Sequence, residues 1–505
     1  MSQAELELKK QPTGKNKGAK ALKAGLGYVI SQLIVKGASF ISTPLFSRFL
    51  SQETFGAVKA YEGWLQILLP IFTLSLYTSI ERAKYEFKDE LDDYVGSVQT
   101  LITITTLGLF VCSIPLFGII GGLLDMNMAM YITMFLYFIT NAAILNFQRR
   151  IKLDYRAKDS MILSLLNILP SIIIALAIII LSKYVMNTGS DLLLERILGF
   201  YIPQILVGGY IVYILLKKSK SWINKKYWSF ALKFSLPMIP SQVSVSVLNQ
   251  SSLLMVEALS GKVDAAIFSM ASTVMYILYV IEQAIGDAWL PWLFEKLDSK
   301  QHQDLQKPWL GILLGTMYMS WGVIMFAPEV VLIFGGAKYA ASVYIAAPII
   351  TGALFHFFTF SYINIEKFYN STKTIAFASI LAMFVNLILT YFGIQWFGYQ
   401  AAAYTYMICY FLIMVFQAFM VKVITGEFII SLTNTLTVSF LSIVVSLLSM
   451  LLLELGFFTR ILICIVVTIL AVLVAVKIFN VNISKLITMV RKKVGGKKWE
   501  GTSHF

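Results

Sequence analysis

A lysine stands halfway along the first apolar segment of the chain, where lipid would accommodate a charge poorly. Lys36 lies between the stretches GLGYVISQLIV and GASFISTP. A cation at the bilayer centre costs at least roughly 3 kcal/mol, so it is expected to face a wet cavity or a partner. Polar residues share its helix face at steps of three and four, namely Gln32, Lys36, Ser39, Thr43 and Ser47. We therefore predict that Lys36 faces water or a ligand, the alternative being an internal ion pair with Glu62 or Glu81.

The second apolar segment carries another polar stripe at helical spacing. Its members are Lys59, Glu62, Gln66, Thr73, Tyr77 and Glu81. Two polar stripes inside apolar helices indicate one shared interior that holds water. The acids nearest membrane depth are Glu62, Glu282 and Asp287. A desolvated carboxyl group binds protons more readily, which would suit coupling to proton or sodium flow. A structural pair with a lysine is the open alternative for these acids.

The composition is typical of membrane proteins. Of the 505 residues, 58% are hydrophobic and 13% are charged, and the mean hydropathy is +0.76. A membrane span needs about 20 apolar residues, and we predict an all-α polytopic protein with about fourteen spans. They are 24–48, 56–82, 94–122, 127–148, 159–183, 192–216, 228–255, 264–290, 308–334, 341–365, 374–396, 398–421, 429–453 and 457–479.

The basic residues are concentrated on one side of this predicted topology. The formal net charge is +14, and 32 of the 41 lysines and arginines fall in alternate loops and the two tails. This positive-inside pattern predicts an even number of spans with both termini cytoplasmic. Topology thus explains the charge, and we expect membrane lipids rather than nucleic acid as partners.

Catalytic, nucleotide-binding and metal-binding motifs are not found in the sequence. There is no GxxxxGK[ST] phosphate loop, and the predicted loops are too short for a catalytic or nucleotide-binding domain. Cys112, Cys409 and Cys464 lie in apolar spans without CxxC or Cys/His spacing. We predict a transporter without cofactor or metal, not an enzyme. A sugar polymerase or ligase would need a larger outer loop, and a scaffold that transports nothing stays open.

The two halves of the sequence contain a weak internal repeat. A shift of 210 residues places Gln32 on Gln242, and a shift of 209, after one deleted residue, places Gly56 on Ala265. Six predicted spans separate the copies, so the halves would be related by an axis along the membrane normal. Chance similarity between two apolar stretches is the alternative.

Three stretches of the chain resemble one family of transporters. They are SRFLSQETFG at 47–56, AWLPW at 288–292, and the segment with Lys373, Asn386 and residues 398–403. Their order and spacing resemble the polysaccharide transporters, the Wzx-type flippases of the multidrug/oligosaccharidyl-lipid/polysaccharide (MOP) exporter superfamily. The resemblance covers most of residues 24–480. It implies that the chain moves an undecaprenyl-diphosphate-linked oligosaccharide repeat unit from the inner to the outer leaflet of the bacterial plasma membrane by alternating access. Such a unit would serve capsule, exopolysaccharide or O-antigen biosynthesis.

The same resemblance implies a division of the chain into two lobes around a central cavity. Helices 1–6 would occupy 24–216 and helices 7–12 would occupy 228–421, with helices 1, 2, 7 and 8 lining the cavity. The remaining parts would be the cytoplasmic tails at 1–23 and 481–505, the inter-lobe loop at 217–227 and an additional helix pair at 422–480. The implied protein partners are the polysaccharide polymerase and export machinery.

A lipid-linked sugar offers a diphosphate, many hydroxyl groups and an apolar tail. Fixed cations suit the diphosphate, and we predict that Lys36, Arg48 and Lys59 supply them. Amides and hydroxyls suit the sugar, and the candidates are Gln32, Ser39, Thr43, Gln66, Gln242 and Asn249. Two relatives remain as alternatives. They are a lipid II flippase, although helix 1 lacks an arginine cluster, and a cation-coupled multidrug exporter, although fourteen spans exceed the twelve expected of it.

Overall fold

The computed structural model describes residues 42–154, 156–186 and 192–479, and these fold into α-helices joined by short turns. No β-strand occurs in those three ranges. The helices are α1 (42–49), α2 (Gln52–Phe72), α3 (Ile80–Glu86), α4 (Leu91–Ser113), α5 (Phe117–Leu123), α6 (Met128–Lys152), α7 (Ala157–Tyr184), α8 (Leu193–Lys218), α9 (Lys225–Ser235), α10 (Ile239–Ser260), α11 (Lys262–Asp298), α12 (Gln306–Met325), α13 (Ala327–Phe334), α14 (Ser342–Phe368), α15 (Thr372–Phe397), α16 (Ala401–Thr425), α17 (Leu432–Leu452) and α18 (Phe457–Phe479).

The chain crosses a membrane many times, but the predicted count of fourteen spans is not confirmed. By length and composition, 10 helices of the described residues can span a membrane, or up to 11 if a bent helix pair counts as one span. The first predicted span, 24–48, lies mostly outside the described residues. Helix α10 is too polar to be counted, and α18 is not among the 10 helices.

Several of the predicted spans contain a break, among them 56–82 and 228–255. The predicted span 56–82 bends by 60° between α2 and the turn that leads into α3, because Leu74 and Ser75 have left-handed φ angles of 49° and 48°. Such angles end a helix, since L-residues rarely adopt them. The predicted span 228–255 contains a 3₁₀ turn at Leu236–Met238. Pro237 explains that break, because proline has no backbone N–H to continue the helix.

The fraction of buried residues falls from the centre of the bundle to its rim. In the most apolar stretch of α14, 78% of the residues are buried, against 11% in the continuous span formed by α4 and α5. The exposed residues of the outer helices are largely leucine, isoleucine and phenylalanine, such as Leu123, Leu166 and Phe384. A rim of this kind is stable when lipid rather than water surrounds it. Helix α14 is therefore central, and α4 lies at the edge.

The long helices run up and down, so the turns gather at two ends of the bundle. We call the end with residues 47–52, 113–127, 257–262 and 333–342 the Arg48 end. The other, with residues 86–91, 149–158, 217–226 and 298–306, is the Arg149 end. We also call residues 42–218 the N-terminal half and residues 239–479 the C-terminal half.

The two halves approach most closely where α2 meets α11 at the Arg48 end. A β-carbon built on Gly56 would lie 1.9 Å from the carbonyl oxygen of Lys262 and 3.2 Å from the backbone nitrogen of Ala266. Only glycine permits this distance, as is common where membrane helices pack through small residues. The repeat aligned Gly56 with Ala265, and the structure brings these two helix starts together.

Candidate functional site

Three charged side chains from two helices form a cluster inside the N-terminal half. In α2, the Lys59 ammonium lies 2.8 Å from Glu62 Oε2, one helical turn away. From α8, Arg196 Nη2 reaches Glu62 Oε1 at 3.4 Å. The cluster carries two cations and one carboxylate, so one positive charge is left over. A net positive charge at this depth is suited to an anion.

The guanidinium of Arg196 is held between two phenyl rings. Its Cζ atom lies 3.9 Å from the ring centroid of Phe46 and 4.1 Å from that of Phe200. The side chain is only 4% exposed. Flat aromatic faces attract a guanidinium, and a sandwich of this kind fixes its plane. Arg196 is therefore the least mobile of the three charges.

No function was predicted for Arg196 from the sequence. Its nearest charged partner, Glu62, is 134 residues away in the chain, so no local spacing joins them. The available signal was an arginine inside an apolar segment, which usually marks an interior position. The Lys59 and Glu62 pair, by contrast, follows from helical spacing.

Amide side chains of the predicted site lie on facing helices of the two halves. Gln250 Nε2 in α10 donates to Gln66 Oε1 in α2 over 2.8 Å. One residue earlier, Asn249 Oδ1 accepts a hydrogen bond of 3.0 Å from the Tyr410 hydroxyl of α16. Thr43 is buried in α1, and Gln242 is half-buried in α10. The structure thus places Gln66 and Asn249 near the contact between halves, whereas no hydrogen bond or ion pair to another described residue joins Thr43 or Gln242 to it.

Three predicted site residues cannot be placed. Lys36, Gln32 and Ser39 lie outside the described residues. The two acids that were alternative partners of Lys36 are engaged elsewhere. Glu62 pairs as above, and Glu81 lies 3.2 Å from Arg149.

The predicted ion-coupling acids occupy different surroundings. Glu282 in α11 is 2% exposed, and its Oε1 atom has no hydrogen-bond partner in the part of the chain that the structure describes. Asp287, further along α11, is exposed. Glu62 is the only one of the three with a cation beside it among described residues. In the same ranges no three His, Cys, Asp or Glu side chains converge as a metal site would require.

A set of cross-half contacts, which we call the Arg48-end contacts, closes that end of the bundle. Arg48 donates to the carbonyl of Ile333 over 2.9 Å, and Lys338 donates to the carbonyl of Leu50 over 2.7 Å. Gln52 in turn donates to the carbonyl of Lys338 over 2.7 Å. Most of the acceptors are backbone carbonyls at turns, which helices leave without internal partners.

An ion pair and an aromatic contact reinforce the same end. Lys262 of the C-terminal half lies 2.6 Å from Asp125 of the N-terminal half. The rings of Phe55 and Tyr339 meet edge to face with centroids 5.8 Å apart. Among described residues, the Ser47 hydroxyl also donates to the carbonyl of Phe334 at this end, and Gln250 donates to Gln66 as described above. The Arg48 end is therefore the closed end.

At the Arg149 end, the described ion pairs stay within one half. Arg150 pairs with Asp92 at 2.6 Å in the N-terminal half, and Lys296 pairs with Asp304 at 2.7 Å in the C-terminal half. Only the connecting segment at 219–235 adds contacts, such as the hydrogen bond of 2.6 Å from Tyr227 to Glu90. The described halves are thus joined by side chains at one end and by the linker at the other.

Comparison with known proteins gives three results. The model of a family described as "Polysaccharide biosynthesis protein" matches residues 21–297. A Haemophilus influenzae protein named "Uncharacterized membrane protein" is 25% identical over 375 residues, which are 71% of this chain and 87% of that protein. Among solved structures, "Lipid II flippase MurJ, inward closed conformation" aligns with a TM-score of 0.61 and 17% identity over 89% of this chain and all of that one.

A second solved structure extends the likeness. An inward-facing multidrug resistance MATE transporter of the MOP superfamily aligns with a TM-score of 0.58 and 13% identity, over 79% of this chain and 99% of that one. At such identities the likeness shows the fold alone. The all-helical fold and the resemblance drawn from the sequence are both confirmed.

Proposed function

Since the chain belongs to the polysaccharide biosynthesis protein family and has the fold of MOP transporters, we propose that it is a lipid-linked oligosaccharide flippase. It would move an undecaprenyl-diphosphate-linked repeat unit from the inner to the outer leaflet of the bacterial plasma membrane. The product would feed capsule, exopolysaccharide or O-antigen synthesis. The structural neighbours are transporters rather than enzymes, which supports transport as the activity.

The observation that carries this proposal is the positive cluster of Lys59, Glu62 and Arg196. A diphosphate is the most highly charged part of the proposed substrate, and it must cross a region where water is scarce. Lys59 is 24% exposed and can therefore reach a ligand, while Glu62 is 22% exposed beside it. Fixed cations lower the cost of holding the diphosphate in that region.

The other proposed substrate contacts follow from this placement. Lys36 and Arg48 would add cations, although Arg48 has to leave the carbonyl of Ile333 to do so. The sugar would meet Gln66, Asn249 and the further polar candidates Gln32, Ser39, Thr43 and Gln242. Glu282 and Asp287 would serve ion coupling, and Glu62 would do so only if its two cations released it.

The Arg48-end contacts support alternating access. By the positive-inside rule, the Arg149 end, which is rich in lysine and arginine, would lie on the cytoplasmic side. The closed end would then face outward, and the halves would be free to separate on the side from which substrate enters. Transport would require the Arg48-end contacts to break in the opposite state.

The test is glycan export in a strain that lacks the gene. Surface glycan is measured after complementation with the wild type, Lys36→Ala, Lys59→Ala and the control Lys88→Ala. Lys88 is exposed at the Arg149 end. We expect Lys88→Ala to restore export and the other two variants to impair it at equal membrane abundance. Wild-type glycan levels in both would remove the cationic site from the mechanism.

A cation-coupled exporter is a second candidate, and Glu282 favours it. A carboxyl group that is 2% exposed and has no cationic partner among the described residues is costly to keep charged unless a cation binds beside it. An exporter of small cations predicts that Glu282→Gln abolishes transport while Lys59→Ala leaves it unchanged. The flippase predicts sensitivity to Lys59→Ala.

A further inference from the structure

The carboxylate of Glu62 is shared between an outer and an inner cation. Lys59 contacts Oε2 at 2.8 Å and is 24% exposed, whereas Arg196 contacts Oε1 at 3.4 Å and is 4% exposed. Lys59 thus lies on the more exposed side of Glu62, and Arg196 lies on the more buried side. A ligand arriving from the exposed side meets Lys59 first, and Arg196 stays out of its reach.

The two cations differ in their freedom to move. Lys59 ends in a compact ammonium on a flexible stem, and its Nζ atom is 5.5 Å from the Phe55 ring centroid. The Arg196 plane is clamped between Phe46 and Phe200. Its Nε and Nη1 atoms have no hydrogen-bond partner within the described ranges. Lys59 can therefore swing away from Glu62, and Arg196 cannot.

We propose that Arg196 is a positioning residue that keeps Glu62 neutralised while Lys59 turns away to bind the anionic head group. Without Arg196, departure of Lys59 would leave the half-buried carboxylate of Glu62 with no cation from the described part of the chain, which is costly. With Arg196 present, Glu62 exchanges one partner for another that is already in place. The inference rests on the proposed function, because it needs an anionic ligand for Lys59.

This arrangement predicts whether each substitution raises or lowers the affinity for an anion. Among the described residues, Arg196→Met leaves Lys59 as the only cationic partner of Glu62, and it should weaken diphosphate binding by about tenfold, as expected for a coupled charge pair. Glu62→Gln frees Lys59 from competition and should tighten binding by about threefold. The double variant lacks the carboxylate that Arg196 serves, so its affinity should return to that of Glu62→Gln within about a factor of three.

Arg460 offers a matched control. It is another buried arginine, 5% exposed in its side chain, and it pairs with Glu329 rather than with a member of the cluster. Arg460→Met removes a buried guanidinium as Arg196→Met does. It should leave diphosphate affinity within about twofold of the wild type, because no charge near Lys59 changes.

The probe is geranylgeranyl diphosphate, and its binding to the purified full chain in detergent is measured by native mass spectrometry. Geranylgeraniol, which lacks the diphosphate, reports binding of the tail alone. If Arg196→Met does not fold, Arg196→Lys and the double variant carry the test, since one keeps the charge and the other removes the unpaired carboxylate. Arg196→Lys should bind the diphosphate more weakly than the wild type. Where Arg196→Met can also be purified, Arg196→Lys should bind more tightly than Arg196→Met.

The outcomes separate the inference from the proposed function. If the wild type binds the diphosphate no better than the alcohol, the proposed function fails and the inference fails with it. If the wild type prefers the diphosphate but Arg196→Met matches it, the inference alone is overturned. A double variant weaker than Glu62→Gln by tenfold would also overturn it, because Arg196 would then act on the ligand or the fold directly.

Discussion

Replacement of Gly56 by alanine should open the Arg48 end. The new β-carbon would start 1.9 Å from the carbonyl oxygen of Lys262, whereas ordinary contact begins at 3.4 Å. Both atoms belong to rigid helices, so α2 and α11 must separate by about 1.5 Å rather than adjust a side chain. The Arg48-end contacts lie one to two helical turns from this point.

A separation of this size is enough to break those contacts. The hydrogen bond from Lys338 to Leu50 is 2.7 Å long, and an added 1.5 Å takes it to about 4 Å, beyond hydrogen-bonding distance. The bond from Gln52 to the Lys338 carbonyl has the same length. Loss of two or three such bonds costs about 3 kcal/mol, which shifts the balance toward the open state by roughly a hundredfold.

The assay is distance measurement by double electron–electron resonance in a Cys112→Ser background. One spin-label pair, Val185→Cys and Phe458→Cys, spans the Arg48 end from strongly exposed positions. A second pair, Tyr85→Cys and Val423→Cys, spans the Arg149 end. Gly56→Ala should lengthen the first distance and, if access alternates, shorten the second.

Gly108→Ala is the matched control for this experiment. A β-carbon on Gly108 meets nothing within 4 Å, so the substitution adds the same methyl group without a clash. It should stabilise α4 by about 0.5–1 kcal/mol and leave both distance distributions unchanged. Identical distributions for Gly56→Ala and Gly108→Ala would refute the claim that this close approach determines closure.

Three further substitutions test other parts of the structure. Arg460→Met should lower the free energy of unfolding by about 2 kcal/mol, seen in thermal unfolding in detergent, because Glu329 loses its partner; an unchanged melting temperature would contradict the pairing. Burial and the Lys183 ammonium lower the pKa of Lys338 at the closed end, so closing releases protons. In the pH range between this lowered pKa and the usual lysine pKa of about 10.4, rising pH should therefore favour closure of the Arg48 end. Lys338→Met should make the spin-label distances independent of pH in that range. Asn127→Ala should cost about 1 kcal/mol in the same thermal assay, because Asn127 caps α6 by accepting from Met130 N over 2.9 Å; Asn127→Ser should retain most of that stability.

Hydropathy and helical spacing predicted much of the bundle. Lys59, Glu62 and Gln66 were placed on one helix face, and the structure gives two of them a mutual ion pair. The break at Leu236–Met238 was also foreseeable, since Pro237 forbids a regular helix there. Such features depend on neighbours within one or two turns, which is the range over which sequence patterns are informative.

Features that depend on distant segments were not predictable. Arg196 meets Glu62 across 134 residues, and Arg48 meets Ile333 across 285. The bend after α2 falls at Leu74 and Ser75, neither of which is glycine or proline, and the nearest proline, Pro70, lies within α2 itself. These contacts are fixed by packing between helices, and a single sequence carries no record of which helices become neighbours.

If the proposed function is correct, the buried positive cluster carries an anionic head group across the membrane. The direct test is flipping in proteoliposomes, with a fluorescent polyprenyl-diphosphate oligosaccharide quenched by dithionite from outside. Wild-type protein should make nearly all of the label accessible, whereas Lys59→Ala vesicles should retain the protected inner half. Retention by the wild type equal to that of protein-free vesicles, or equal flipping by Lys59→Ala, would contradict the claim.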